Sequence, residues 1–82
     1  MTYLLDGNAM AGELFAAFGR EMTTVVGRCR ICATASAVAE LCVYLRAPGA
    51  VARCPSCDAV VMVLVTIGGQ CHVHLPALEF QE

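Results

Sequence analysis

The chain has 82 residues, 59% of them hydrophobic, with a formal charge of −2 and a mean hydropathy of +0.69. A length of this order allows one small domain, residues 1–82, that buries only about 60–65% of its unfolded surface, so a metal, a disulfide or a partner is expected to supplement the core. The negative balance speaks against a general nucleic-acid binder, and the longest uncharged apolar run, Ala59 to Gly69, falls short of the about 20 residues a spanning helix needs.

Residues 5–18, LDGNAMAGELFAAF, read as a helix. Met10, Leu14 and Phe18 recur every fourth position with Ala17 beside them, which gives one apolar stripe. Asp6 or Asn8 can cap its start, and Gly19 supplies the left-handed stop. The period then changes. Thr23 to Arg28 predicts a short strand. AVAELCVYLR, residues 37–46, alternates with Leu41, Val43 and Leu45 on one side and Glu40, Cys42 and Tyr44 on the other. Pro48-Gly49 predicts a type II turn, after which Val51 to Arg53 runs back. Val60 to Ile67 is apolar on both faces apart from Thr66 and predicts a central strand. Gly68-Gly69 permits a tight hairpin, and Cys71 to Leu75 returns as the last strand, with Pro76 limiting it. The tail EFQE gives no clear signal. The expected fold is a small α+β domain: an N-terminal helix, then a zinc-ribbon-like antiparallel sheet of four to five strands over residues 23–75.

Two thiol pairs punctuate that plan. Cys29-x-x-Cys32 and Cys54-x-x-Cys57 stand 21 residues apart, each preceded by an arginine. Two such turns each offer half of a tetrahedral site, and four thiolates make it soft and closed, which suits zinc or iron. The spacing lies just past the usual ribbon range of about 15–20, and the long hairpin between the pairs absorbs the excess. Two disulfides would suit an exported protein, but no export signal is read at the amino terminus. A thioredoxin-type pair would open a helix, whereas strand-like valines follow Cys57. Zinc is expected over iron, because the chain lacks the aromatic cluster of rubredoxins. Ala33 and Asp58 occupy the positions where such knuckles turn left-handed. Alanine tolerates that turn poorly, so the first knuckle is expected to be irregular.

Arg28, Arg30 and Arg53 adjoin the pairs and read first as counter-charge to a dianionic cluster, second as a patch for an acidic partner or nucleic acid. Cys42 and Cys71 stand apart and read as ordinary small apolar residues. His72 and His74 share one face of a strand without a third ligand nearby, as two surface histidines would. No nucleophile elbow, phosphate loop or divided carboxylate pair is visible, so no catalytic residue is expected, and the sequence names no small-molecule substrate.

LDGNAMAGELFAAFG, then MT, CRIC, APGAVARCPSC and VMVLV, together resemble a family of small bacterial proteins of unknown function over most of residues 4–65. The resemblance implies a zinc-ribbon-like bacterial protein. Genes of such families often lie beside flavin-dependent ferredoxin reductases and sulfite-oxidase-like molybdenum enzymes, which would imply a redox accessory role. Ala33 departs from the family's glycine there. The combined reading is a cytoplasmic zinc-stapled binding or assembly module, a homodimer or bound to a protein partner through its apolar surface. The alternatives are an iron electron carrier or redox accessory and a nucleic-acid-associated ribbon.

Overall fold

The computed structural model describes residues 4–46 and 49–81. Among the described residues, eight strands form two antiparallel sheets, where the sequence predicted one sheet of four to five. Strands β1 (Leu4–Asp6), β4 (Cys42–Arg46), β5 (Gly49–Arg53), β6 (Val60–Ile67) and β7 (Gln70–His74) form the larger, in the order β1-β4-β5-β6-β7. The smaller is β3 (Ala35–Ala37), β2 (Val26–Cys29) and β8 (Leu78–Gln81), in the order β3-β2-β8. The α+β class holds, and no described helix is long and apolar enough to cross a membrane.

The helix is shorter than its stripe suggested. Leu4–Asp6 pairs with β4, Gly7–Met10 makes a 3₁₀ turn, and only Ala11–Phe18 is α-helical, here α1. Asp6 does cap, but it caps the 3₁₀ turn, accepting from the Asn8 N–H at 3.0 Å. Gly19 stops α1 at φ 72°, its N–H donating to Phe15 O at 2.8 Å. Met10 and Leu14 are fully buried, while Phe18 stays partly exposed and meets Phe80 edge to face at 5.9 Å.

The expected strand over 37–46 is broken at Val38–Glu40 by a second 3₁₀ turn. Glu40 Oε1 accepts the Ala37 N–H at 2.9 Å, and the Val38 and Ala39 N–H groups donate to the carbonyls of Val25 and Thr23. The turn points both Val38 and Leu41 inward, at 1% and 2% exposure, which strict alternation forbids. Thr23 and Thr24 lie in a turn, so β2 begins at Val26 rather than Thr23. The buried Thr23 hydroxyl and N–H are both satisfied by the Glu21 carboxylate. Those two bonds also hold the Glu21 carboxyl below its usual range.

The expected turn at Pro48 lies outside the described residues. Strand β6 is interior, hydrogen-bonded to β5 and β7, with a bulge opposite Ala52 and Arg53. Gly68 and Gly69 adopt φ 58° and 79°, as a tight two-residue hairpin requires. Strand β7 is not the last. Pro76 ends it, but the chain turns and the tail pairs with β2 as β8, placing Leu78 opposite Cys29. Leu78 fills the space that the missing side chain of Gly27 leaves; a Cβ there would meet Leu78 Cδ1 at 2.7 Å. One buried cluster joins both sheets and α1, from Met10, Leu14 and Met62 to Met22 and Leu78.

Candidate metal centre

Each thiol pair is the loop of a hairpin. The first joins β2 to β3 in the smaller sheet; the second joins β5 to β6 in the larger. The two knuckles follow one pattern. The N–H of the leading cysteine donates to the carbonyl five residues on, from Cys29 to Thr34 and from Cys54 to Ala59, both at 2.9 Å. The N–H four residues on returns to the cysteine carbonyl, Ala33 to Cys29 at 2.9 Å and Asp58 to Cys54 at 3.0 Å. The N–H two residues on points at the leading sulfur, Ile31 to Cys29 and Ser56 to Cys54, both at 3.4 Å. Ala33 and Asp58 turn left-handed at φ 66° and 65°.

The first knuckle is therefore as regular as the second, against expectation. Two hydrogen bonds around Ala33, together with the Arg30 N–H bond to Ala77 O at 2.8 Å, impose the conformation that alanine resists. The strain is of order 1–2 kcal/mol for an L-residue with no local side-chain partner. Ala33→Gly is accordingly expected to stabilise the protein by about 1 kcal/mol in urea denaturation. Asp58→Gly should gain less, because aspartate enters this region at lower cost and would forfeit the Arg53 contact.

The four sulfurs converge. Cys29, Cys32, Cys54 and Cys57 place their Sγ atoms within 4.8 Å of one another. Cys29 and Cys57 are 3.7 Å apart, and Cys32 and Cys54 3.6 Å. A tetrahedral ion with metal–sulfur bonds of about 2.3 Å sets its ligand sulfurs about 3.8 Å apart, so the cage fits such an ion. The leading cysteines, Cys29 and Cys54, are buried and the trailing ones exposed, so the cluster has a dry floor and a wet rim.

The thiols titrate unequally. The Thr34 hydroxyl, 3.2 Å from Cys32 Sγ, and the Thr34 N–H hold Cys32 at about 6. The Ala59 N–H favours the Cys57 thiolate, but desolvation and the three neighbouring thiols outweigh it and push Cys57 up to about 12. Thiolates this close repel one another, and a cation among them would relieve that repulsion. Thr34 was missed in the sequence, where it is one hydroxyl among several; its place two residues after Cys32 is the signal that was there.

Two of the three neighbouring arginines are engaged. Arg30 pairs with Glu79 at 3.5 Å. Arg53 donates to Asp58 O at 2.9 Å, lies 3.7 Å from its carboxylate and sits 5.8 Å from the Tyr44 ring centre. Cys42, Cys71, His72 and His74 stand outside the cluster, both histidines exposed.

A family model matches residues 1–81. The chain belongs to DUF6510, a family of unknown function. No curated protein and no solved structure matches it. Within this DUF6510 chain the Leu-Asp-Gly-Asn opening forms the strand and 3₁₀ turn, and the two Cys-x-x-Cys segments form the cage, so the motifs noted in the sequence are structural parts of the same molecule.

Proposed function

We propose that the protein is a zinc-stapled, ribbon-like module that binds or assembles with protein rather than catalysing a reaction. The observation that carries the reading is that each knuckle belongs to a different sheet. An ion held by Cys29, Cys32, Cys54 and Cys57 would lock the β2–β3 hairpin to the β5–β6 hairpin. Four protein sulfurs leave no open coordination position, so the ion's contribution is folding energy and geometry, not activated water. Thiolate ligands require a reducing compartment, and we place the protein in the cytoplasm. A loaded centre adds about two further negative charges to an already negative chain, and Arg30 and Arg53 answer to Glu79 and Asp58. Both points speak against nucleic-acid binding.

Metal analysis with a visible spectrum of the purified protein tests the reading. One zinc per chain and a colourless solution are expected. One iron per chain with a red colour would replace the staple by a one-electron carrier.

A further inference from the structure

The four sulfurs of the metal centre do not meet solvent equally. Cys29 and Cys54 are 3% and 2% exposed. Cys32 and Cys57 lie exposed at the rim, beside the exposed knuckle residues Ile31, Pro55 and Ser56. A small oxidant arriving from water therefore reaches Cys32 and Cys57 first. The close sulfur–sulfur contacts decide what each then meets. Cys32 Sγ lies 3.6 Å from Cys54 Sγ, and Cys57 Sγ 3.7 Å from Cys29 Sγ. Each contact joins a rim sulfur to a buried one. Each also joins the β2–β3 hairpin to the β5–β6 hairpin. Cys42 and Cys71 stand outside the cluster.

We propose that Cys32 and Cys57 are sites of oxidation by hydrogen peroxide, and that oxidation exchanges the ion for two disulfides between the sheets, Cys32 to Cys54 and Cys29 to Cys57. A rim thiolate attacks one peroxide oxygen, the O–O bond breaks, and the sulfur becomes a sulfenic acid as hydroxide leaves. The buried thiolate in contact with it attacks that sulfur. The S–S bond forms, the S–O bond breaks and a second hydroxide leaves. Each disulfide thus consumes one peroxide and two thiolates, with two electrons passing from sulfur to oxygen. Two peroxides turn four thiolates into two disulfides and four hydroxides. No thiolate then remains to hold the zinc, which is released unchanged as Zn²⁺. The staple changes its chemistry but keeps its place. A disulfide within one knuckle would span two intervening residues and leave the hairpins unjoined. The cross pairs span 22 and 28 positions, keep the hairpins joined and restrict the unfolded chain more. The oxidised, zinc-free protein therefore stays folded where the reduced, zinc-free protein does not. The inference rests on the zinc staple proposed above and adds its regulation.

The test treats the reduced, zinc-loaded protein with a small molar excess of hydrogen peroxide. Zinc release is followed with a chromogenic chelator, the products by intact mass and disulfide mapping, and the fold by circular dichroism melts. One zinc released and four hydrogens lost per chain are expected. Cys29 should be linked to Cys57 and Cys32 to Cys54, with Cys42 and Cys71 still free thiols. The oxidised protein should melt cooperatively, and dithiothreitol should abolish that melt until zinc is returned. Disulfides within a knuckle, disulfides to Cys42 or Cys71, sulfinic acids in place of disulfides, or zinc retained with every thiol free would each overturn the proposal. So would an oxidised chain that has lost its melt. Zinc content before treatment tests the staple separately: a zinc-loaded protein that gives the wrong products leaves the staple standing and removes this inference alone.

Discussion

Stripped of its metal by a strong chelator at neutral pH, the protein is expected to lose its cooperative fold. A domain of this length has a total stability of about 5–15 kcal/mol at most, and a structural zinc contributes of order 10–16 kcal/mol in small peptides. The ion's share therefore equals or exceeds the whole margin. The structure says where the loss falls. The smaller sheet has three short strands, of three to four residues each. Without the ion, like-charged or protonated thiols remain where the ion had joined the hairpins. Cys54→Ser, at a site 2% exposed, should act as chelation does, whereas Cys42→Ser, outside the cluster, should cost under about 1 kcal/mol. Acid should act in the same direction. The loaded native state holds thiolates and the unfolded chain binds protons, so stability falls as pH drops below the ordinary thiol pKa of about 8.5. Circular dichroism melts of loaded, chelated and Cys54→Ser protein decide the matter. Equal melting temperatures for all three would remove the staple from the account.

Gly7→Ala is expected to be strongly destabilising although it lies remote from the thiols. A Cβ at position 7 would lie 1.7 Å from Val38 O, 2.6 Å from Val38 C and 2.9 Å from Ala39 Cα. All three are backbone atoms, so no rotamer change relieves the contact. The 3₁₀ turn at Gly7–Met10 crosses the 3₁₀ turn at Val38–Glu40 at this point, and one of them must move. Either displacement uncovers Met10 or Val38, both essentially fully buried. The cost should be about 3 kcal/mol or more, a fall in Tm of about 15 °C for a domain of this size. Gly12→Ala makes the contrast. A Cβ there meets nothing within 4 Å, and alanine in a helix gains about 0.5–1 kcal/mol over glycine. Thermal melts of the two variants should therefore move in opposite directions. A Gly7→Ala protein as stable as wild type would mean that the two turns do not cross as described.

The contrast between Gly7 and Gly12 also shows what the sequence could reveal. Local chemistry was legible. The two Cys-x-x-Cys spacings, the Gly19 stop, the Gly68-Gly69 hairpin and the left-handed positions after each thiol pair all depend on neighbours a few residues away. Long-range contacts were hidden. Gly7 fell inside the helix read over residues 5–18, because its reason for being glycine is Val38, 31 positions away. Strict alternation over 37–46 would set Val38 on the face opposite Leu41, because alternation cannot register a 3₁₀ turn closed by the Glu40 carboxylate. The tail did contain a signal: Leu78 and Phe80 alternate with Glu79 and Gln81, a pattern of only four residues that becomes a strand because β2 has a free edge there. At Ala33, intrinsic preference pointed to an irregular turn, and the hydrogen bonds of the knuckle override it. The division into two sheets followed from none of these local rules, because it depends on which edge β8 meets.

The central claim is that four sulfurs, two from each sheet, hold one zinc ion. X-ray absorption at the zinc edge of the purified protein tests it most directly. The account predicts one zinc per chain with a single shell of four sulfurs at about 2.3 Å and no nitrogen or oxygen ligand. A shell containing nitrogen or oxygen, or a folded, fully reduced protein that carries no metal at all, would contradict it.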